Sequence, residues 1–351
     1  MGSSGFSSQT FTRSVADLKS AGQQFKRSAD AAATGNYSGS IADNLNPRQL
    51  KNGQRECCFA AGFTCATPIL VSIDGTGSMG QVPYQIQAGL PALLDLLTEQ
   101  GVTDHPNVAF TCHDDEDAVP PDAAFQISQF ETGAVELLAS LNELVIPHNG
   151  GGNGGESYHL SVYAAANKVR LECFERDGEK GWLIIIGDEP PVIGRRDPAR
   201  YGTTPAVAKA VFGDVIEAEV PMLESLKKAA ERWNIYCIRP GHTNHGKDPA
   251  VRQAWRNMFA AAGLDTENVI DIEETEQIVP TIALTIGAGL GGDRDAMVQV
   301  LRTKGVAGVD GAAAATQALV HVAPGAMVAT GTASAALVTS DAGNASGRAR
   351  L

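Results

Sequence analysis

Basic residues are scarce in this chain, and the scarcity excludes a nucleic-acid-binding surface. Its 27 Lys and Arg stand against 40 Asp and Glu, a formal net charge of −13, whereas phosphate neutralisation needs clustered cations. An acidic protein is better suited to holding cations. Long apolar runs are also missing, so no segment reads as a membrane span. Cysteine is sparse at six in 351 residues. Cys57, Cys58, Cys65, Cys112, Cys173 and Cys237 form no C-x-x-C pair, which argues against a disulfide scaffold and against zinc. They read as small buried hydrophobes in a reducing compartment. No basic n-region followed by an apolar stretch opens the sequence, so no secretory signal is read and a cytoplasmic location is expected. With 43% hydrophobic and 19% charged residues, the composition is that of a soluble globular protein with a sizeable core.

Three regions differ in composition. Residues 1–66 are rich in Ser, Ala, Gly and Gln and mildly basic, with seven Lys or Arg against four Asp or Glu. Within them Phe11, Val15, Leu18, Gly22 and Phe25 recur at helical spacing, which predicts one short amphipathic helix packing on its own domain. Residues 67–290 alternate short apolar runs with helical stretches, the pattern of a sheet covered by helices on both faces. Strands are expected at Pro68–Ile73, Asn107–Cys112, Phe125–Ser128, Trp182–Ile186, Ile235–Ile238 and Val269–Ile272. Helices are expected near 80–99, 132–144, 156–171, 219–233, 249–263 and 273–287. The second and third strands leave no room for a helix between them, so one antiparallel edge strand is expected on an otherwise parallel sheet. The fold class is therefore α/β, a Rossmann-like doubly wound sheet of six mostly parallel strands. Residues 291–351 read as an Ala/Gly-rich tail with one or two weak helices near 293–303 and 310–321, flexible from Pro324 onward.

In open α/β sheets ligands sit beyond the carboxyl ends of the strands, which directs attention to three loops. The first strand runs into Asp74-Gly75-Thr76-Gly77-Ser78-Met79, with one carboxylate and two hydroxyls at alternate positions. A glycine-rich stretch, Asn149-Gly150-Gly151-Gly152-Asn153-Gly154-Gly155-Glu156, leads into the third expected helix of this region. The fourth strand ends in Gly187-Asp188-Glu189. Oxygen ligands and glycines dominate all three, a donor set that suits a hard divalent ion such as Mg²⁺. Two other polar runs lie on the same rim. His113-Asp114-Asp115-Glu116-Asp117 is expected to be a solvated loop, with Asp117 within water-mediated reach of a metal. His242 and His245 lack a carboxylate or Cys at zinc-ligand spacing, so a plain polar loop is expected there. The glycine-rich run has no Lys-Ser/Thr of a P-loop, which argues against nucleotide binding.

The first loop, Asp74-x-Thr76-x-Ser78, resembles the metal-ion-dependent adhesion site of von Willebrand factor A (VWA) domains, whose usual form has Ser where this chain has Thr76. The resemblance extends over about 67–290 and takes in the glycine-rich loop before Glu156 and the strand leading to Asp188, in the family's order. It is nearest to intracellular bacterial members. It implies that Asp74, Thr76 and Ser78 contact one ion directly or through water, with Asp188 on its far side. The family usually has a Thr in the second loop. Here Asn153 or Glu156 is left to supply that oxygen, while Glu156 is equally placed to cap its helix. Mg²⁺ is the implied cofactor, with Mn²⁺ or Ca²⁺ as alternatives.

Haloacid-dehalogenase-like phosphatases offer a competing pattern, matched here by Ser72-Ile73-Asp74-Gly75-Thr76 and Gly187-Asp188. Aspartyl catalysis requires a carboxylate nucleophile where this chain has Ser72, which argues against it. A third possibility is the A-domain fold kept as an interaction surface with an empty site. The expectation taken forward is a non-enzymatic, divalent-cation-dependent protein-binding module. Its partner would offer an acidic residue, and the resemblance points to assemblies such as AAA+ ATPases.

Overall fold

The computed structural model describes residues 8–59, 66–99, 102–103, 105–148, 155–191 and 200–319. Asn153, most of the glycine-rich loop, Cys65 and the Pro324 tail lie outside the described residues.

The central sheet has six strands: β1 (Thr67–Asp74), β2 (Pro106–His113), β3 (Phe125–Ile127), β4 (Gly181–Ile186), β5 (Trp233–Pro240) and β6 (Val269–Ile272). Their spatial order is 3-2-1-4-5-6. All neighbours are parallel except β3, which runs antiparallel to β2 with Thr111 opposite Ile127. The mostly parallel six-stranded sheet and its antiparallel edge strand are thus as the alternation of apolar runs predicts. β4 is buried at every position, because helices cover both faces of the sheet and Trp182 to Ile186 therefore carry no polar side.

One group of helices comprises α1 (Ser8–Ser20), α3 (Val82–Glu99), α4 (Ala134–Asn142) and α8 (Ile278–Gly289), with α3 packed on α1 and α8. The other comprises α5 (Tyr158–Asn167), α6 (Met222–Ala230) and α7 (Pro249–Ala262), packed in series. Between α1 and α3 lies α2 (Lys26–Thr34).

The N-terminal end departs from the expected outline, whereas the weak helices expected beyond 290 form and join the packed core. The predicted amphipathic helix is divided, because Gly22 and Phe25 adopt left-handed conformations at φ 64° and 46°. For Phe25 that geometry costs about 1–2 kcal/mol. It is held by a bond from its N–H to Asn142 Oδ1 (2.8 Å) and by an edge-on contact with Tyr84 at 4.9 Å. Phe11 and Phe25 belong to the same buried cluster as the sheet residues. Beyond 290, α9 (Arg294–Thr303) and α10 (Val309–Ala315) both pack on α8. Their role follows from α8 itself: every residue from Ile278 to Ala288 is buried, and a helix apolar all round needs cover on every side. Met297, Leu301, Val309 and Ala312 supply it.

This topology places the site. From β1 the chain moves outward to β2 and β3, then returns past β1 to lay down β4, β5 and β6 on the other side. Where the strand order reverses, the loops leaving β1 and β4 meet at the carboxyl ends of the strands, which in such sheets is where the ligand crevice lies. Asp74 is the last residue of β1, and Asp188 lies two residues beyond the end of β4.

Candidate metal centre

Four of the six residues singled out in the sequence meet in that crevice. Asp74 Oδ1 accepts from the Thr76 N–H (2.9 Å) and from the Thr76 hydroxyl (2.6 Å). Thr76 Oγ1 stands 3.3 Å from Ser78 Oγ, and Ser78 Oγ donates to Asp188 Oδ1 at 2.8 Å. Two carboxylates and two hydroxyls are thus linked in one continuous chain across the strand reversal. Asp74, Thr76 and Asp188 are buried, whereas Ser78 is half-buried and Gly77 exposed, so the chain opens to solvent on the Ser78 side. The turn after Asp74 is tight. The Gly75 N–H donates to the His113 carbonyl at 2.7 Å, its carbonyl accepts from His148 N–H at 3.0 Å, and a Cβ there would lie 2.7 Å from Cys112 Sγ.

Among the described residues no Lys or Arg forms an ion pair with Asp74 or Asp188. Burial, then the neighbouring Asp188, pushes the Asp74 carboxyl up to about 7, against the opposing bonds from Thr76 and Tyr158. Glu156 is pushed further, to about 11, by burial and then by Asp74, Asp115, Asp114 and Glu189. Its Oε2 is buried and has no hydrogen-bond partner among the described residues. Helix α5 begins two residues later with Ser157 as its N-cap and no side-chain cap bond, so the capping role open to Glu156 in the sequence is not what its side chain does. Glu156 instead adds a further carboxylate beside Asp74.

Both flanking runs differ from their expected form. His113, Asp114 and Asp115 are buried, and only Asp117 is exposed. The carboxylates turn inward to serve their own backbone: Asp114 Oδ1 accepts from Asp115 N–H at 2.7 Å, and Asp115 Oδ1 from Asp117 N–H at 3.0 Å. The 241–248 segment is tied to the crevice. Thr243 Oγ1 donates to Asp188 Oδ2, His242 Nε2 lies 3.2 Å from the Ser78 carbonyl, and His245 Nδ1 lies 2.9 Å from Glu189 Oε1.

Tyr158 has no counterpart in the sequence reading. Its hydroxyl donates to Asp74 Oδ2 at 2.8 Å and accepts from Glu189 N–H at 3.2 Å. An aromatic residue opening an apolar helix looks like core, and only the tertiary contact reveals its polar end. Its ring also dictates Gly187, where a Cβ would fall 2.1 Å from the Tyr158 oxygen. Gly187→Ala is accordingly expected to destabilise the chain by about 1–3 kcal/mol, measured by chemical denaturation, because the tyrosine must move out of its bond to Asp74.

The donor types present are ones that a small hard cation accepts. All donors are hydroxyl or carboxylate oxygens, and the buried carboxylates are not neutralised by a described Lys or Arg. Among the described residues no three His, Cys, Asp or Glu side chains assemble as a metal-binding group. A site of two carboxylates and two hydroxyls does not require such a group.

No family model matches the chain, and no curated protein matches it. Solved structures similar to it include the pilus adhesin SpaC of Lactobacillus rhamnosus GG in its open conformation. That match has 12% identity and a TM-score of 0.42 over 64% of this chain and 30% of that one. Another is proximal thread matrix protein 1 of the mussel byssus, with 11% identity and a TM-score of 0.39 over 64% of this chain and 48% of that one. The chain thus spans less than a third of the adhesin and less than half of the matrix protein.

Proposed function

We propose that this chain is a VWA-type module that holds one divalent cation, Mg²⁺ or else Mn²⁺ or Ca²⁺, and uses it to bind an acidic side chain of a protein partner. Asp74, Thr76, Ser78 and Asp188 would hold the ion, with Glu156 as the further oxygen donor. The observation that carries the reading is the unbroken Asp74–Thr76–Ser78–Asp188 chain at the strand reversal, whose carboxylates have no described Lys or Arg to balance them. Bound there, the ion supplies a local positive charge on an acidic surface and an open coordination position. Thr76 and Ser78 add no charge, so Asp74 and Asp188 formally balance a divalent ion, and its hold on an acidic side chain would come through the open coordination position. Thr243 and Tyr158 hold the outer oxygens of Asp188 and Asp74 and so orient the two carboxylates.

The same reading makes the protein a non-enzymatic adaptor in a cytoplasmic assembly, with an AAA+ ATPase as the partner class that the resemblance implies. Ser72 supports it, since the position where a haloacid-dehalogenase-type phosphatase carries its nucleophile is here a fully buried hydroxyl within β1.

Thermal melting tests the cation directly. A ligand that binds only the folded state stabilises it by about 2.7 kcal/mol at a hundredfold excess over its Kd. The wild-type melting temperature is therefore expected to climb with Mg²⁺ or Mn²⁺, and that of Asp74→Ala to stay flat. A wild-type chain indifferent to both ions overturns the reading.

A further inference from the structure

We infer that Tyr158 and Trp255 act as a pair to position Asp188, by gripping the peptide groups of its neighbour Glu189 from two different helices. The inference rests on the metal reading above and concerns how the site is held, not which residues bind the ion. Glu189 N–H donates to the Tyr158 hydroxyl at 3.2 Å, and the Glu189 carbonyl accepts from Trp255 Nε1 at 2.9 Å. The two rings meet edge to face, with centroids 5.0 Å apart and an interplanar angle of 78°. Both side chains are fully buried. On the other side of Asp188, Gly187 lies so close under the Tyr158 hydroxyl that no side chain fits there. Asp188 is thus flanked on both sides by backbone seated on this aromatic pair.

The arrangement does more than fill space. A loop residue leaving a strand has both backbone polar groups free for water, yet Glu189 has both taken by side-chain donors and acceptors in the core. Because the Tyr158 hydroxyl also donates to Asp74 Oδ2 at 2.8 Å, one atom sets the Glu189 amide relative to the Asp74 carboxylate. The β1 and β4 loops are therefore fixed against each other through Tyr158. Among the described residues Trp255 makes no hydrogen bond to Asp74 or Asp188 and reaches the site through the Glu189 carbonyl and its edge-on contact with Tyr158. Helix α7 also follows the segment that carries Thr243, whose hydroxyl donates to Asp188 Oδ2, so α5 and α7 converge on this one loop. A ligand carboxylate held within a few tenths of an ångström is what a site with few charged donors requires.

Phenylalanine at either position keeps a ring in place and removes the polar tip, which separates positioning from packing. The experiment titrates Mn²⁺ calorimetrically into the full-length wild type, Tyr158→Phe, Trp255→Phe and the double variant. It also follows hydrogen exchange of the Glu189 amide in metal-free protein. Each single variant is expected to bind Mn²⁺ about tenfold more weakly. The double variant is expected to lose much less than a hundredfold, since both changes release the same peptide. Glu189 amide exchange should accelerate in Tyr158→Phe, and that measurement with the Tyr158→Phe titration decides the matter if Trp255→Phe does not fold.

Lowered melting temperatures with unchanged Mn²⁺ affinity would overturn the inference and leave the metal reading standing. A full hundredfold loss in the double variant would overturn joint action through Glu189. A wild type that takes up no Mn²⁺ overturns the metal reading and this inference with it.

Discussion

Chelating divalent cations will weaken binding of an acidic protein partner at least about thirtyfold, the equivalent of the 2 kcal/mol or more lost when one side of a buried charge pair is removed. The expectation follows from charge. At −13 the chain repels an acidic ligand at long range, so attraction has to come from a cation on the rim. Without the ion, an incoming carboxylate faces Asp74 and Asp188 as like charges. Asp188→Ala is expected to reproduce the chelator's effect, since it removes a buried carboxylate and the acceptor of both the Ser78 and Thr243 hydroxyls. Asp177 serves as the control. It is exposed near the amino end of β4, separated from the rim by a strand length of roughly 20 Å. Screening reduces interactions between exposed charges beyond about 8 Å at physiological salt, so Asp177→Lys should leave affinity nearly unchanged. Affinity measured by surface plasmon resonance with and without chelator decides it. Undiminished binding in chelator would remove the rim from the interface and favour the A-domain fold as a plain interaction surface.

The parts of this architecture legible in the sequence are those set by local composition. Runs such as Trp182 to Ile186 can only be strands buried on both faces, and the short gap between Cys112 and Phe125 leaves no space for a crossover helix, so the antiparallel edge follows. Asp74 and Asp188 are recognisable because each comes directly after such a run, in a glycine-rich turn. What the sequence hides is set by distant contacts. The acidic run 113–117 looks solvated, yet Asp114 and Asp115 turn inward because their carboxylates cap their own turn. Tyr158 and Trp255 read as apolar helix residues, and their hydroxyl and indole N–H find partners contributed by another strand's loop. Helices α9 and α10 are expected as weak helices from their own sequence, and what stays hidden is their packing on α8. Ile278 to Ala288 carries that cue, a helix so uniformly apolar that something has to cover its outer face.

The metal-free chain is expected to lose stability as pH rises from 5 to 8, and saturating Mg²⁺ to reverse that trend. Burial and the proximity of Asp188 raise the Asp74 carboxyl from its ordinary value of 3.8 to about 7 in the folded chain. A group raised in this way favours the folded state while protonated. Its contribution is fully present below about pH 4 and is lost as pH climbs through the folded value near 7, because the unfolded chain ionises freely while the folded one resists. Glu156 acts in the same direction, since burial and then Asp74, Asp115, Asp114 and Glu189 oppose its ionisation. The loss across this window is on the order of a few kcal/mol, at about 1.4 kcal/mol for each pH unit over which a proton is withheld. A divalent ion competes with the proton for the same oxygens, so its uptake strengthens as pH rises. The gap between melting temperatures with and without Mg²⁺ should therefore widen steadily from pH 5 to 8, by several degrees in total. Asp74→Asn, which keeps the shape of the side chain and cannot ionise, should reduce the metal-free slope to the part that Glu156 contributes and close the gap. Parallel melting curves at every pH would mean that the cation does not bind where Asp74 titrates, whereas convergence at low pH places proton and metal on the same carboxylate.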